Sequence, residues 1–278
     1  MIPIGRLKNN LEFNKNFGDV IEVMKLAAIS QFNYFRSRYE SPAVFTDIFE
    51  DILKIVTQRN SGHALLSPDA NLPAAIVLVS SDEGFLGELN TLLVNKLVGI
   101  KNDNDEVMVV GQQGAHFLEE AGIKFSSFPS PGEKIDSPGR SLLVNHIFQR
   151  FLQKNIGKVC IVYPRFINIT SQQVEMEILL PLYKPAAEGG VYGEEFLFEP
   201  SIDAVIEGWI KLFLGQRLYQ IFWSSKLAEL AARIMHLEGS VQEVMRINQH
   251  LKLEYFKYLH GFSDKSIREI FASRLLKR

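Results

Sequence analysis

From Leu227 onward one apolar stripe runs without a break. Leu227, Leu230, Ile234, Leu237, Val241, Val244, Asn248, Leu251, Tyr255, Tyr258 and Phe262 follow one another at three- and four-residue steps. That spacing is the narrow seam of a coiled coil, not the wider stripe of a helix resting on a globular core. No proline occurs after Pro200, so nothing in the backbone forces the helix to stop. At about 1.5 Å rise per residue, the remaining stretch would make a rod on the order of 110 Å long. The average helix has only ~11 residues. A seam of that length needs a second helix to cover it, and this requirement constrains the rest of the fold.

The N-terminal region supplies the cover. From about Gly5 to Tyr39 apolar residues recur at helical spacing: Phe13, Phe17, Val20 or Ile21, Met24, Ala27 or Ala28, Phe32 and Phe35. Ser41-Pro42 interrupts the run. Serine can cap a helix and proline is tolerated in a first turn, so a second helical segment is expected there, with Phe45, Ile48, Phe49, Ile52, Leu53 and Val56 as its apolar face. The N-terminal unit, residues 1–60, is therefore predicted as a helix kinked near Pro42. Pairing it antiparallel with the C-terminal helix, residues 199–278, leaves the middle of the chain looped out.

That middle changes period. Ala74–Val79 is a continuous apolar, β-branched run of the kind buried on both faces of a sheet. Leu89–Leu97 reads as a helix and Glu106–Val110 as a second strand. A helix follows Gly111–Gly114 and ends near Gly122. Phe125–Pro138 is rich in proline and glycine and reads as loop; Leu142–Gln153 is helical. Lys158–Val162 and Gln172–Leu180 read as further strands, and Lys184–Gly193 as a loop returning to the rod. Strand–helix alternation predicts a small parallel sheet with covering helices over residues 70–185. The expected fold class is α/β: an antiparallel coiled coil of the two chain ends with an inserted Rossmann-like parallel-sheet domain.

Composition excludes several roles. With 30 Lys+Arg against 32 Asp+Glu, bulk charge gives no attraction for nucleic acid or an anionic membrane. The longest apolar runs are too short to span a bilayer, so no direct membrane insertion is expected. The first residues lack the apolar core of a signal peptide, and Glu12 and Asp19 argue against a transit peptide. The lone Cys160, inside an apolar run, reads as a buried inert thiol in a reducing setting. The six histidines show no metal-ligand spacing. The turns Ser80–Gly87 and Gly111–Gly114 follow strands, where phosphate can bind, but neither matches a phosphate-loop or dinucleotide fingerprint, and Asp82 and Glu83 place negative charge there. No cofactor, metal or catalytic residue is expected.

Asn248 stands at a core position of the seam. A single polar residue there either fixes register at some cost in stability, or marks where the seam meets solvent or another subunit. The mixed charges Arg233, Glu243, Arg246, Lys252, Lys257, Lys265 and Arg268 read as a solvated outer face.

Four stretches, in order, resemble the gamma subunit of F-type ATP synthases. Val20–Ser30, with Met24-Lys25 and Ala27-Ala28, resembles I-T-K-A-M-x-M-V-A-A-S-K, and Pro42 falls at the A-R-P-Y interruption. Ser81–Asn90 resembles S-D-R-G-L-C-G-G-L-N. Phe166–Leu182 is similar to F-x-N-x-x-x-Q-x-P-x-x-x-x-L-L-P-L. Phe198-Glu199-Pro200 matches Y-E-P, and Glu229 with Ala231-Ala232-Arg233-Ile234 through Glu269-Ile270 follows E-x-A-A-R-M … E-I. There are departures. Leu259-His260-Gly261 stands for R-Q-A, Glu22 and Gln31 for lysines, Glu83 for the arginine of S-D-R-G, and Leu86 for its cysteine. The chain thus resembles a diverged or alternate-type member.

The resemblance implies a non-catalytic rotor shaft in an α3β3 catalytic ring, with an epsilon-type subunit and the membrane c-ring as further partners. Such a complex sits peripherally on the cytoplasmic face of a bacterial inner membrane. Met24, Lys25 and Arg233 would lie near the bearing, and Leu259, His260 and Glu269 along the gripped end. The seam residues would be Leu230, Ile234, Leu237, Val241, Val244, Asn248 and Leu251. Two other classes remain open: a coiled-coil scaffold or gamma-like subunit of another motor complex, and a small nucleotide-dependent enzyme using the Ser80–Gly87 turn.

Overall fold

A computed structural model describes residues 4–39, 49, 52, 65, 71–132, 138–182 and 199–275. The elements are α1 (Ile4–Arg36), β1 (Ala74–Val79), α2 (Leu89–Ile100), β2 (Glu106–Val110), α3 (Gln112–Glu120), β3 (Ser126–Phe128), α4 (Pro138–Leu152), β4 (Lys158–Asn168), β5 (Ser171–Leu180) and α5 (Ile202–Leu275). They fall into two compact units, one made of Met1–Ser30 with Ile234–Arg278 and the other of Gln31–Arg233.

In the first unit the two helices pair antiparallel. Ile21 clusters with Leu237 and Val241, with Met24 and Val244 packed alongside. A Cβ on Gly18 would stand 3.3 Å from Val244 Cγ1. Lys25 Nζ reaches Glu238 at 2.8 Å. Moving along α1 toward its end therefore moves backward along α5. On α5 the predicted seam holds: Leu237 and Val241 are buried, Ile234 and Tyr255 are half-buried, and Val244, Asn248, Leu251 and Tyr258 are half-buried between exposed neighbours. Phe262 departs from it, at 65% exposed. The register sets Tyr258 against Ile4, where α1 begins, and no helix among the described residues covers the next turns.

On α1 the predicted face holds from Ile21 through Met24, Ala28, Phe32 and Phe35 and is a correction before it. Phe13 is 67% exposed, and Phe17 and Val20 are also out in water; the two phenylalanine rings stack on each other, 6.1 Å apart. The least exposed line is Ile4, Leu7, Leu11, Asn14, Gly18, Ile21, Lys25 and Ala28. Two narrow helices approach through small and polar residues as readily as through large ones.

The second unit holds the sheet, in strand order β3-β2-β1-β4-β5. β1 is parallel to β2 and β4, and β2 is parallel to β3. The fourth predicted strand is a second correction: β5 runs antiparallel to β4. β4 continues past Val162 to Asn168 and turns through Ile169-Thr170. A connection that short joins only antiparallel strands. β3 lies in the stretch predicted as loop, and α4 begins at Pro138, a favoured first helical position. The core on one face of the sheet joins Ile76, Leu78, Val107, Val109 and Val162 to Leu93, Leu97 and Leu118. Cys160 is buried, and its burial pushes the thiol pKa up, as expected of an inert core cysteine.

The Gln31–Arg233 part of the helices packs against the sheet as well. Phe32 meets Phe166 and Phe35 meets Trp223. Ser224 Oγ accepts the Phe166 N–H at 3.1 Å, and Arg217 Nε donates to Glu177 at 2.7 Å. The first helix ends at Arg36. The predicted kink near Pro42 and the loop Lys184–Gly193 lie outside the described residues. Phe49, predicted on the second helical face, is helical and stacks on Phe213.

Candidate functional site

In open sheets of this strand order, ligands bind beyond the carboxyl ends of the strands, in the crevice where the order reverses. Here that is between β1 and β4. Val79, Ser80 and Ser81 from the end of β1, Pro164 from β4 and Asn90 from α2 form its walls, and the α5 residues Phe222, Ser225, Lys226 and Glu229 fill it. A cavity of about 20 Å³ is left, room for a single water at most.

The neighbouring α3 N-terminus borders an open cavity of about 660 Å³ lined by Asp82, Gly111, Gln112, His116 and Phe128, but its first amides are already bonded. Its donors go to the chain itself: Gln112 N–H to Asp82 Oδ1 at 3.2 Å, Gln113 N–H to the Ser81 carbonyl at 2.9 Å, and Gly114 N–H to Ser80 Oγ at 2.9 Å. Ser80 Oγ in turn donates to the Val110 carbonyl at 3.0 Å. Gly111 has φ +103°, and a Cβ there or on Gly114 would fall onto Ser80. These glycines serve close packing against Ser80, and a phosphate would find its amides taken. Among the described residues, no three His, Cys, Asp or Glu side chains group as metal ligands.

Arg233 is a third correction. Read with the solvated outer face of the rod, it is only 5% exposed and turned inward. Its Nη2 donates to Glu229 Oε1 at 2.8 Å, Nη1 lies 3.2 Å from Glu83 Oε2, and Nε reaches the Gly84 carbonyl at 3.4 Å. Glu229 also takes Lys226 Nζ at 3.1 Å. Arg233 thus ties the Ser81–Gly87 loop to α5. Between Gly84 and the buried Leu86, Phe85 sits at φ +63°, a left-handed conformation rare for a bulky residue, with its ring largely exposed. The spacing of the sequence gives no hint of the Glu83–Arg233 pair; the only signal was the unusual acidic charge in the strand-to-helix turn.

The other expected contact residues lie in the helical unit. Met24 is half-buried against the Ile21–Leu237–Val241 cluster. Lys25 bridges Glu22 and Glu238, each at 2.8 Å. These two hydrogen bonds, led by Glu22, raise the lysine pKa. Leu259, His260 and Glu269 are exposed. Around them Leu253, Phe256, Phe262, Ile270 and Phe271 are each more than half exposed. Large apolar side chains concentrated along one stretch of surface mark a partner site. Among the described residues, then, α5 carries its largest run of exposed apolar side chains beyond Tyr258, and the crevice between β1 and β4 is lined by α5 itself.

Residues 4–258 match the family model for ATP synthase. The chain is 26% identical over 270 residues to an ATP synthase gamma chain of Clostridium perfringens (strain 13 / Type A), covering 95% of this chain and 94% of that one. It is 23% identical to the ATP synthase gamma chain of Mycoplasmopsis pulmonis, over 98% and 99% of the two chains. Among solved structures it resembles a chain of the Euglena gracilis mitochondrial ATP synthase OSCP/F1/c-ring assembly, with a TM-score of 0.70 at 15% identity, covering 97% of this chain and 93% of that one. A chain of the Tetrahymena thermophila mitochondrial ATP synthase central stalk and c-ring is similar with a TM-score of 0.61 at 18% identity, over 80% and 99%.

Proposed function

The chain belongs to the ATP synthase family, and from that premise we propose that it is the gamma chain, the central rotor shaft of an F-type complex. Its helical ends, residues 1–60 and 199–278, form the shaft inside an α3β3 ring. The inserted domain, residues 70–185, rests with an epsilon-type subunit on the membrane c-ring. Rotation driven by ion flow takes the three β sites through different nucleotide affinities in turn, and ATP is made or hydrolysed there, not on this chain. The filled strand-end crevice supports that non-catalytic role. No helix among the described residues is long and apolar enough to cross a membrane, which fits a peripheral place on the cytoplasmic face of a bacterial inner membrane.

The observation that carries this reading is the match to gamma chains over nearly the whole length, joined to the uncovered apolar stretch of α5 beyond Tyr258. We place Leu259, His260 and Glu269 on the face gripped by the ring, and Met24 and Lys25 nearer the bearing. With no arginine at 259–261, the grip at that level depends on apolar contact more than on charge. Affinity purification of the tagged full chain from its own cells tests it. Recovery of α- and β-type ATPase subunits is expected; their absence, with some other partner in their place, would make the chain a coiled-coil scaffold instead.

A further inference from the structure

We infer that Asn14 and Asn248 form a polar rung across the helical pair, with the Asn14 amide donating to Asn248 Oδ1 directly or through one water held in the layer. The register places them together. Ile21 packs with Val241 and Gly18 stands against Val244, so the next layer of an antiparallel seam sets Asn14 opposite Asn248. Both are half-buried, each between exposed neighbours, as are Leu11 and Leu251 one layer on. Asn248 Oδ1 is buried and has no hydrogen-bond partner. Buried acceptors in native proteins are nearly always satisfied. The group facing it carries two amide donors. A matched pair of asparagines in an otherwise apolar seam accepts only alignments that bring polar to polar, so the rung fixes where the helices meet. This concerns the pairing of α1 and α5 alone and stands whether or not the chain turns in a ring.

The test is amide hydrogen exchange across residues 4–30 and 234–258 of the full chain, in N14A, N248A, the N14A/N248A double and N14L/N248L. Each alanine variant is expected to speed exchange by about 5-fold, the factor for one net hydrogen bond, and the double by no more than the worse single. The leucine pair, which fills the layer with apolar surface, is expected to exchange more slowly than the native chain. It also keeps the test informative if an alanine variant fails to fold. Multiplying effects in the double, native exchange in N14A beside fast exchange in N248A, or fast exchange in N14L/N248L would each overturn the rung.

Discussion

Truncating Leu237 to alanine tests the seam where it is best packed. Leu237 is 1% exposed and lies at the centre of the small cluster with Ile21 and Val241. The change deletes three buried carbons, a transfer loss of about 2.4 kcal/mol at ~0.8 kcal/mol per methylene. A cavity term adds to this, but two helices with half-exposed flanks close on a void more easily than a globular core does. The loss is therefore expected near the low end of the ~2–5 kcal/mol range for such truncations, roughly 2.5 kcal/mol. Amide exchange reads it locally: the amides of Ile4–Ser30 and of α5 beyond Ile234 should exchange roughly 60-fold faster, at tenfold per ~1.4 kcal/mol, while those of β1 and β2 keep native rates. Phe13→Ala is the control. It removes a larger side chain from a position 67% exposed and should change exchange by no more than ~2-fold, as surface substitutions do. If Phe13→Ala matched Leu237→Ala, or Leu237→Ala stayed within threefold of native, the seam assignment would be refuted.

Arg233→Met is expected to destabilise by roughly 2–4 kcal/mol, because the buried Glu229 keeps only the half-buried Lys226 as a partner, whereas Glu83→Gln should cost less than ~1 kcal/mol at an exposed carboxylate; denaturant midpoints of the two variants compare them. Gly239→Ala should raise the midpoint by roughly 0.5–1 kcal/mol, since a Cβ there meets nothing within 4 Å and glycine weakens a helix interior. Gly111→Ala, by contrast, places a Cβ on Ser80 at φ +103° and should abolish cooperative folding of the sheet. The Lys25–Glu238 pair gives a pH signature. Glu238 is held below the usual 4.5 by its hydrogen bond to Lys25, so its contribution is complete above that value and fades as pH falls through the lowered pKa. Lys25 is held above the usual 10.5, first by Glu22 and then by Glu238, so its share is complete below 10.5 and fades as pH rises past the raised value. The difference in melting temperature between native and E238Q chains should shrink at both extremes and in high salt; a difference independent of pH would rule the pair out.

The bounds of β1 and β2 were legible to the residue, because a continuous apolar run flanked by turn residues admits few other conformations. The three-four period of α5 was legible as far as Tyr258. What failed did so for identifiable reasons. Phe13 and Phe17 are aromatic and correctly spaced, so periodicity counts them as core, yet the line actually used runs through Asn14, Gly18 and Lys25, which hydropathy discounts. The direction of β5 leaves no trace in its own residues; it follows from the two-residue turn before it. β3 is too short for any period to register. Met24, Lys25, Leu259, His260 and Glu269 could be singled out only through the family resemblance, and Arg233's inward contacts join residues about 150 positions apart, beyond the reach of any local pattern.

The filled crevice has a consequence for how such a domain can be controlled. A sheet of this topology ordinarily waits for a small molecule, and its loops open and close with the concentration of that molecule. Here the plug is covalently part of the chain, so its effective concentration never varies, and there is no soluble competitor to displace it. That crevice is in effect permanently saturated. Whatever acts there must first shift part of the chain itself.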